Sequence, residues 1–293
     1  VRRLTTRAPG SCGEWIQGIY HGRPCLVSCP IDLYARATIS DEPQRIDLPP
    51  KAAALVDYFL WRYGLSEKVM HHLNIEIASE IPRGKGMASS TADLAALAGA
   101  LSVFFDLHLD ASEIARLCIA VEPSDNIMFP RLNLFDFIDG GVIKTFRHNL
   151  QAAILVINFK GTVDTVGFKG QRRIYTARDR AAFAGIVGTF QRGVDRRNLQ
   201  TVGNATTKSA LLNQKVLEKP YLPLLIDLSS RYGGEGVVIG HSGTVVGILH
   251  EPGRLARDDL MRELLKHVSA EEIDSAFERR IVPGGVQLLR NEF

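Results

Sequence analysis

The chain has 293 residues, of which 45% are hydrophobic, 23% charged and 8% aromatic, a globular profile that excludes disordered, collagenous and low-complexity classes. Thirty-five Lys plus Arg stand against 32 Asp plus Glu. The resulting net charge of +3 is too balanced for a nucleic-acid or polybasic membrane surface, so the expected partner is a small molecule.

In chain order, residues 33–40 alternate apolar and polar side chains and predict a half-buried strand. Residues 52–63 predict a helix, and 73–79, through Asn74, Ile75, Glu76 and Ile77, a second strand. Over 89–107 the residues Leu94, Leu97, Ala98, Leu101, Phe104 and Phe105 recur at steps of three and four, a helical spacing. Ser89, Ser90 and Thr91 are the side chains expected to cap that helix, and Asp110 to cap the next, over 111–121. After Gly140 and Gly141 come expected strands over 142–146 and 152–159, then helices over 178–195 and 199–216. A strand, glycine turn and strand over 236–249, helices through 279 and a terminal strand near 286–289 complete the pattern. The polar segment 161–173 reads as a linker or a lid. Strands and helices mix without regular βαβα alternation, so the expected class is α+β. The four cysteines Cys12, Cys25, Cys29 and Cys118 contain no C-x-x-C pair, which favours free thiols and argues against zinc. No signal-peptide core and no apolar run near 18 residues is visible, so a soluble, cytoplasmic protein is expected.

The chemistry is concentrated in three segments. Pro82-Arg83-Gly84-Lys85-Gly86-Met87-Ala88-Ser89-Ser90-Thr91 lies between a predicted strand and a predicted helix. Glycines let backbone amides approach a ligand, and a helix start adds further amides and partial positive charge, which suits phosphate. Lys85 is expected to add a point charge, and the Ser89 and Ser90 hydroxyls to reach a phosphate oxygen or Mg²⁺. The spacing is not that of the Walker loop, and a plain turn remains the alternative for this segment alone. The stretch from Ala8 through Glu14 to Gly18 reads by itself as a surface loop, and Gly240 to Gly247 as a hairpin.

Together and in this order, the segments resemble the signature motifs of the GHMP kinase superfamily. Pro82 to Ala92 is similar to that family's P-x-x-x-G-L/M-x-S-S-x-A phosphate loop, Ala8 to Glu14 to a shortened A-P-G-x-x-x-x-G-E, and Gly240 to Gly247 to the third motif. Ser11 stands where many members carry Lys or Arg, and Ala88 where they carry glycine. Further segments, Glu122-Pro123-Ser124-Asp125, Leu134-Phe135-Asp136 and His241-Ser242-Gly243 among them, resemble the branch that phosphorylates L-threonine in adenosylcobalamin synthesis.

The resemblance implies a two-domain α+β fold: residues 1–150 as an ATP-binding domain with a left-handed βαβ unit, and 151–293 as a ferredoxin-like domain. It implies ATP and Mg²⁺, and a hydroxy amino acid, L-threonine, as phosphoryl acceptor. Pro82, Gly84 to Thr91, Ser242 and Gly243 become the expected nucleotide site, with Ser90 and Glu122 as Mg²⁺ ligands. Asp125 is the expected base and Asp136 its rival; Glu14, Gln17 and Ser28 are the expected substrate pocket, and His241 reads as a structural histidine. A kinase for serine, homoserine or ethanolamine, and a nucleotide-binding regulator without chemistry, stand as the alternatives.

Overall fold

The computed structural model describes residues 2–42, 48–161 and 175–292. The linker or lid expected over 161–173 lies outside the described residues, apart from Gly161. The frame is a long antiparallel hairpin of β1 (Arg3–Tyr20) and β2 (Arg23–Ser40), each 18 residues. His21 and Gly22 close it with φ of 48° and 76°, the positive pair that a two-residue hairpin turn demands.

Strands of that length twist and break register, and β1 does so at 9/10, 11/14 and 14/16. The irregular stretch is the one that reads in isolation as a surface loop. It is instead buried from Ala8 through Ile19, because β1 pairs on both sides, with β2 along its length, with β7 (Gly236–Ile239) at Glu14 and with β10 (Gln287–Glu292) near its start. The strands β3 (Asn74–Ser79), β4 (Asn133–Asp136), β5 (Val142–Thr145), β6 (Ala153–Phe159), β8 (Val245–His250) and β9 (Ile273–Arg280) complete one ten-stranded sheet. Its order is β5-β4-β2-β1-β7-β8-β6-β9, with β3 joining β2 and β10 joining β1.

The helices are α1 (Pro50–Tyr63), α2 (Ser89–Phe104), α3 (Ala111–Val121), α4 (Ala177–Arg196), α5 (Leu199–Asn213), α6 (Leu222–Arg231) and α7 (Arg257–Leu264). Residues 94–102 of α2 are all buried, which explains its nearly continuous Ala and Leu composition. It lies on the central hairpin, where the Thr6 hydroxyl donates to the Ala96 carbonyl at 2.7 Å. Asp110 caps α3 in a reciprocal box with Glu113, at 2.8 and 2.9 Å. One hydrophobic core collects residues from both halves of the chain, from Leu4 to Ile281, and a smaller one lies under α6 and α7.

Two expectations are corrected. Of the helices expected through residue 279, the last α-helix ends at Leu264 and a short 3-10 turn follows at Ala270–Glu272; the charged stretch from Ile273 is β9, paired with β6 in the register Phe277↔Val156. Pairing with an apolar central strand overrides the helical propensity of Glu and Arg. Ser89, Ser90 and Thr91 do not cap α2: Ala88 occupies the N-cap at φ 57° and no side chain caps the helix. Among the described residues no helix is long and apolar enough to cross a membrane, and all four cysteines are free and buried.

Candidate active site

The three segments converge at one cleft of about 400 Å³, a volume suited to a small ligand. They are joined backbone to backbone. The Ser11 N–H donates to the Met87 carbonyl at 3.0 Å, and the Thr244 and Val245 N–H groups both donate to the Lys85 carbonyl, at 3.1 and 3.0 Å. Gly86 has φ 79° and its missing Cβ would lie 1.7 Å from the Ser242 carbonyl oxygen; that of Gly243, at φ 77°, would lie 2.1 Å from the Lys85 carbonyl carbon. No side chain fits at either position, which is what the two loops need to close on each other. The result is a turn of open backbone leading into an α2 start that no side chain caps, so its first amides face the cleft unspent.

Beside that helix start, Ser90 donates to Glu122 Oε1, and Lys51 Nζ bridges Glu122 Oε2 at 2.6 Å and Ser90 Oγ at 3.3 Å. Glu122 is the C-cap of α3, so two helix ends bring a hydroxyl and a carboxylate together. Lys51, in the first turn of α1, went unnoticed in the sequence because a lysine on an amphipathic helix looks like ordinary surface charge.

On the neighbouring wall, Glu14 and Asp125 are in carboxyl-to-carboxyl contact. Glu14 is 3% exposed; burial first and the Asp125 charge second push its carboxyl well above the usual range, against hydrogen bonds from the Ser28 hydroxyl and the His241 amide. Burial, with the Glu122 charge second, pushes Asp125 up to about 6. Two carboxyl groups in contact do not both ionise readily, so this pair keeps a proton to higher pH than two separate carboxyls would. The Asp125 loop is held by Thr91 Oγ1, which accepts its N–H at 3.3 Å, and by Asn126, whose Oδ1 accepts the Ser28 N–H at 2.9 Å.

His241 lines the same cleft against Phe137, ring centroids 4.6 Å apart. Burial, then the positive charge of Lys219, lowers it to about 4, so it is neutral at pH 7. Its Nδ1 lies 2.8 Å from Gln17 Oε1.

Gly84, Gly86 to Thr91, Glu14, Glu122, Asp125 and Ser242 thus line one cavity. Pro82 and Gly243 are not part of its lining. Lys85 points away: its ammonium is held by the Phe159 and Gly161 carbonyls at 3.0 and 3.1 Å and by Asp274 at 2.9 Å, so the expected point charge for phosphate is spent on tying the loop to β6 and β9. Asp136 is also outside the cleft. It is fully buried, and its Oδ1 accepts the Ile138 and Asp139 amides at 3.1 and 3.0 Å, closing the β4–β5 turn; it is not a rival base. Gln17 is 1% exposed and acts on His241 and the Ile239 carbonyl, and Ser28 on Glu14 and Asn126, so both stand behind the wall of the expected substrate pocket.

Residues 51–129 match the GHMP kinases N terminal domain. The chain is 31% identical to the L-threonine kinase of Citrobacter freundii, over 96% of this chain and 98% of that protein. The chain belongs to the GHMP kinase family. It is also 30% identical to the L-threonine kinase of Salmonella typhimurium, over 96% of this chain and 94% of that one. A putative homoserine kinase from Listeria monocytogenes superposes with a TM-score of 0.70 at 15% identity, covering 98% and 99% of the two chains. A mevalonate diphosphate decarboxylase from Enterococcus faecalis does so at 0.69 and 15%, over 99% of each. At those identities the likeness shows a shared fold.

GHMP kinases use ATP, and the cleft of this one suits a nucleotide with its divalent ion. Among the described residues no group of three or more His, Cys, Asp or Glu is placed to hold a metal. Mg²⁺ with a nucleotide does not need one: it keeps waters and phosphate oxygens and asks the protein for one or two hard oxygens. The Ser90 hydroxyl and Glu122 carboxylate are that kind of pair, beside a helix start open to phosphate.

Proposed function

We propose that this GHMP kinase transfers the γ-phosphoryl group of ATP to the side-chain hydroxyl of L-threonine, giving O-phospho-L-threonine for cobalamin side-chain synthesis. The observation that carries the reading is the near-full-length similarity to two L-threonine kinases. The free, buried cysteines agree with a reducing compartment, the cytoplasm. Residues 1–150 form the ATP-binding lobe in this reading and 151–293 the second lobe.

Phosphoryl transfer asks a protein for positioning and charge neutralisation more than for covalent help. The amides from Gly84 to Ser89 cradle the phosphates, and Ser90 and Glu122 hold Mg²⁺, which when bound offsets phosphate charge. Asp125 accepts the hydroxyl proton as the new O–P bond forms and the bond to the ADP oxygen breaks. Glu14, buried beside it in the cleft lining, keeps that carboxylate in place and forms part of the substrate pocket.

An ADP-release assay over L-threonine, L-serine, L-homoserine and ethanolamine tests the substrate. Serine lacks one methyl group and is expected at a kcat/KM about 10- to 200-fold below threonine. Ethanolamine, with no carboxylate for the site's polar groups, is expected lower still. A preference for homoserine or ethanolamine would overturn threonine and leave the family standing; ATP binding without turnover of any of the four would favour the regulator.

A further inference from the structure

Lys219, in the connection between α5 and α6, takes no part in the chemistry above and is 5% exposed. Its ammonium donates to the Gly243 carbonyl. Its backbone is held by one side chain: Gln214 Oε1 accepts its N–H at 2.8 Å and Gln214 Nε2 donates to its carbonyl at 3.1 Å. Burial alone lowers its pKa to about 8, with no carboxylate opposing it. An ammonium buried against a single carbonyl is a far costlier anchor than a neutral donor. Its charge also reaches the cleft, since it acts on His241 in the lining. The Gly243 backbone that it holds is the one pressed against Lys85 and Gly86 of the phosphate loop.

We propose that Lys219 is a positioning residue for the nucleotide: it fixes the 240–244 loop against the phosphate loop and supplies, from behind that loop, a positive charge whose counter-ion is the phosphate chain. The proposal rests on the ATP-dependent reading of the site. Among the described residues no carboxylate pairs with its ammonium, and the loop that it anchors at Gly243 carries His241 and Ser242 of the cleft lining.

Equilibrium binding of Mg-ATP and of adenosine to the full chain, with steady-state kinetics, provides the test. Lys219→Met is expected to weaken Mg-ATP binding and raise KM for ATP about tenfold, with kcat and adenosine affinity within about threefold of wild type. Lys219→Arg, which keeps the charge, is expected to recover most of the loss. Gln214→Ala loosens the same turn without touching the charge and is expected to lower the melting temperature while ATP affinity stays within about twofold. If Lys219→Met does not fold, Lys219→Gln carries the same comparison, retaining a donor for the Gly243 carbonyl. Unchanged ATP affinity in a folded charge-removing variant, or equal losses for ATP and adenosine, would overturn the proposal while wild-type ATP binding upholds the kinase reading. Failure of the wild type to bind Mg-ATP would sink both.

Discussion

Ser90 separates two explanations that the sequence leaves superposed, helix cap and metal contact. Because the N-cap is Ala88 and no side chain caps α2, Ser90→Ala should escape the roughly 0.5–2 kcal/mol cost of a lost cap and still lose most activity. Thermal melts beside turnover measure both; near-wild-type turnover with a lowered melting temperature would return Ser90 to a structural role. Ala88 holds φ 57° without being glycine, a conformation that costs an L-residue about 1–2 kcal/mol. Part of that returns in Ala88→Gly, offset by the greater freedom of the unfolded chain, so a melting temperature at or slightly above wild type is expected. Asp125→Asn should lower kcat by about 10²- to 10⁴-fold, and Asp136→Asn, at the β4–β5 turn, should leave turnover near wild type and lower stability instead. The pH dependence carries a definite sign. The folded-state pKa of Asp125 is raised from 3.8 to about 6, so its contribution to stability is complete below the lower value and is lost as pH rises through the upper one. Chemical denaturation at pH 4 and pH 7 should therefore show Asp125→Asn gaining on wild type at the higher pH. In the same window wild-type kcat/KM should climb with an acid limb near 6, which Asp125→Asn abolishes.

At the scale of elements, two glycine loops and one interrupted strand make the site. Gly86 and Gly22 have nearly the same φ, 79° and 76°, yet only Gly86 has a backbone carbonyl 1.7 Å from where a Cβ would stand, whereas nothing lies within 4 Å of the Gly22 position. Gly22→Ala should cost about 1–2 kcal/mol of backbone strain and leave ATP binding intact. Gly86→Ala must push the 240–244 loop off the phosphate loop, so it should lose both stability and ATP affinity. Melting curves and nucleotide titrations on the pair distinguish strain from displacement; equal behaviour would mean that the loop contact does not matter. The bulges of β1 serve the same end. A regular strand of 18 residues would alternate its side chains between faces without exception, and the slips between 9 and 16 let Glu14 reach Asp125 in mid-sheet.

For the whole molecule, the decisive feature is that the larger core draws on both halves of the chain and that β1 takes β7 and β10 as partners from the far end of the sequence. Heat should therefore unfold the protein in one calorimetric transition, and a fragment of residues 1–150, stripped of those partners, should show no cooperative melt. Two separate transitions would mean that the halves are energetically independent. The sequence by itself determined the helices whose apolar residues recur at helical steps, the Asp110 cap, the glycine turn ahead of α2 and the family. Each is encoded locally, by periodicity, capping chemistry or a glycine at a fixed offset. It kept Asp136 as a rival to Asp125, took Lys85 for a phosphate ligand, extended helices into β9 and gave no sign of Lys51 or Lys219. Those were decided by tertiary structure, since whether a carboxylate faces a cleft or closes a turn, and whether a lysine meets a phosphate or a carbonyl, depends on partners brought from distant parts of the chain.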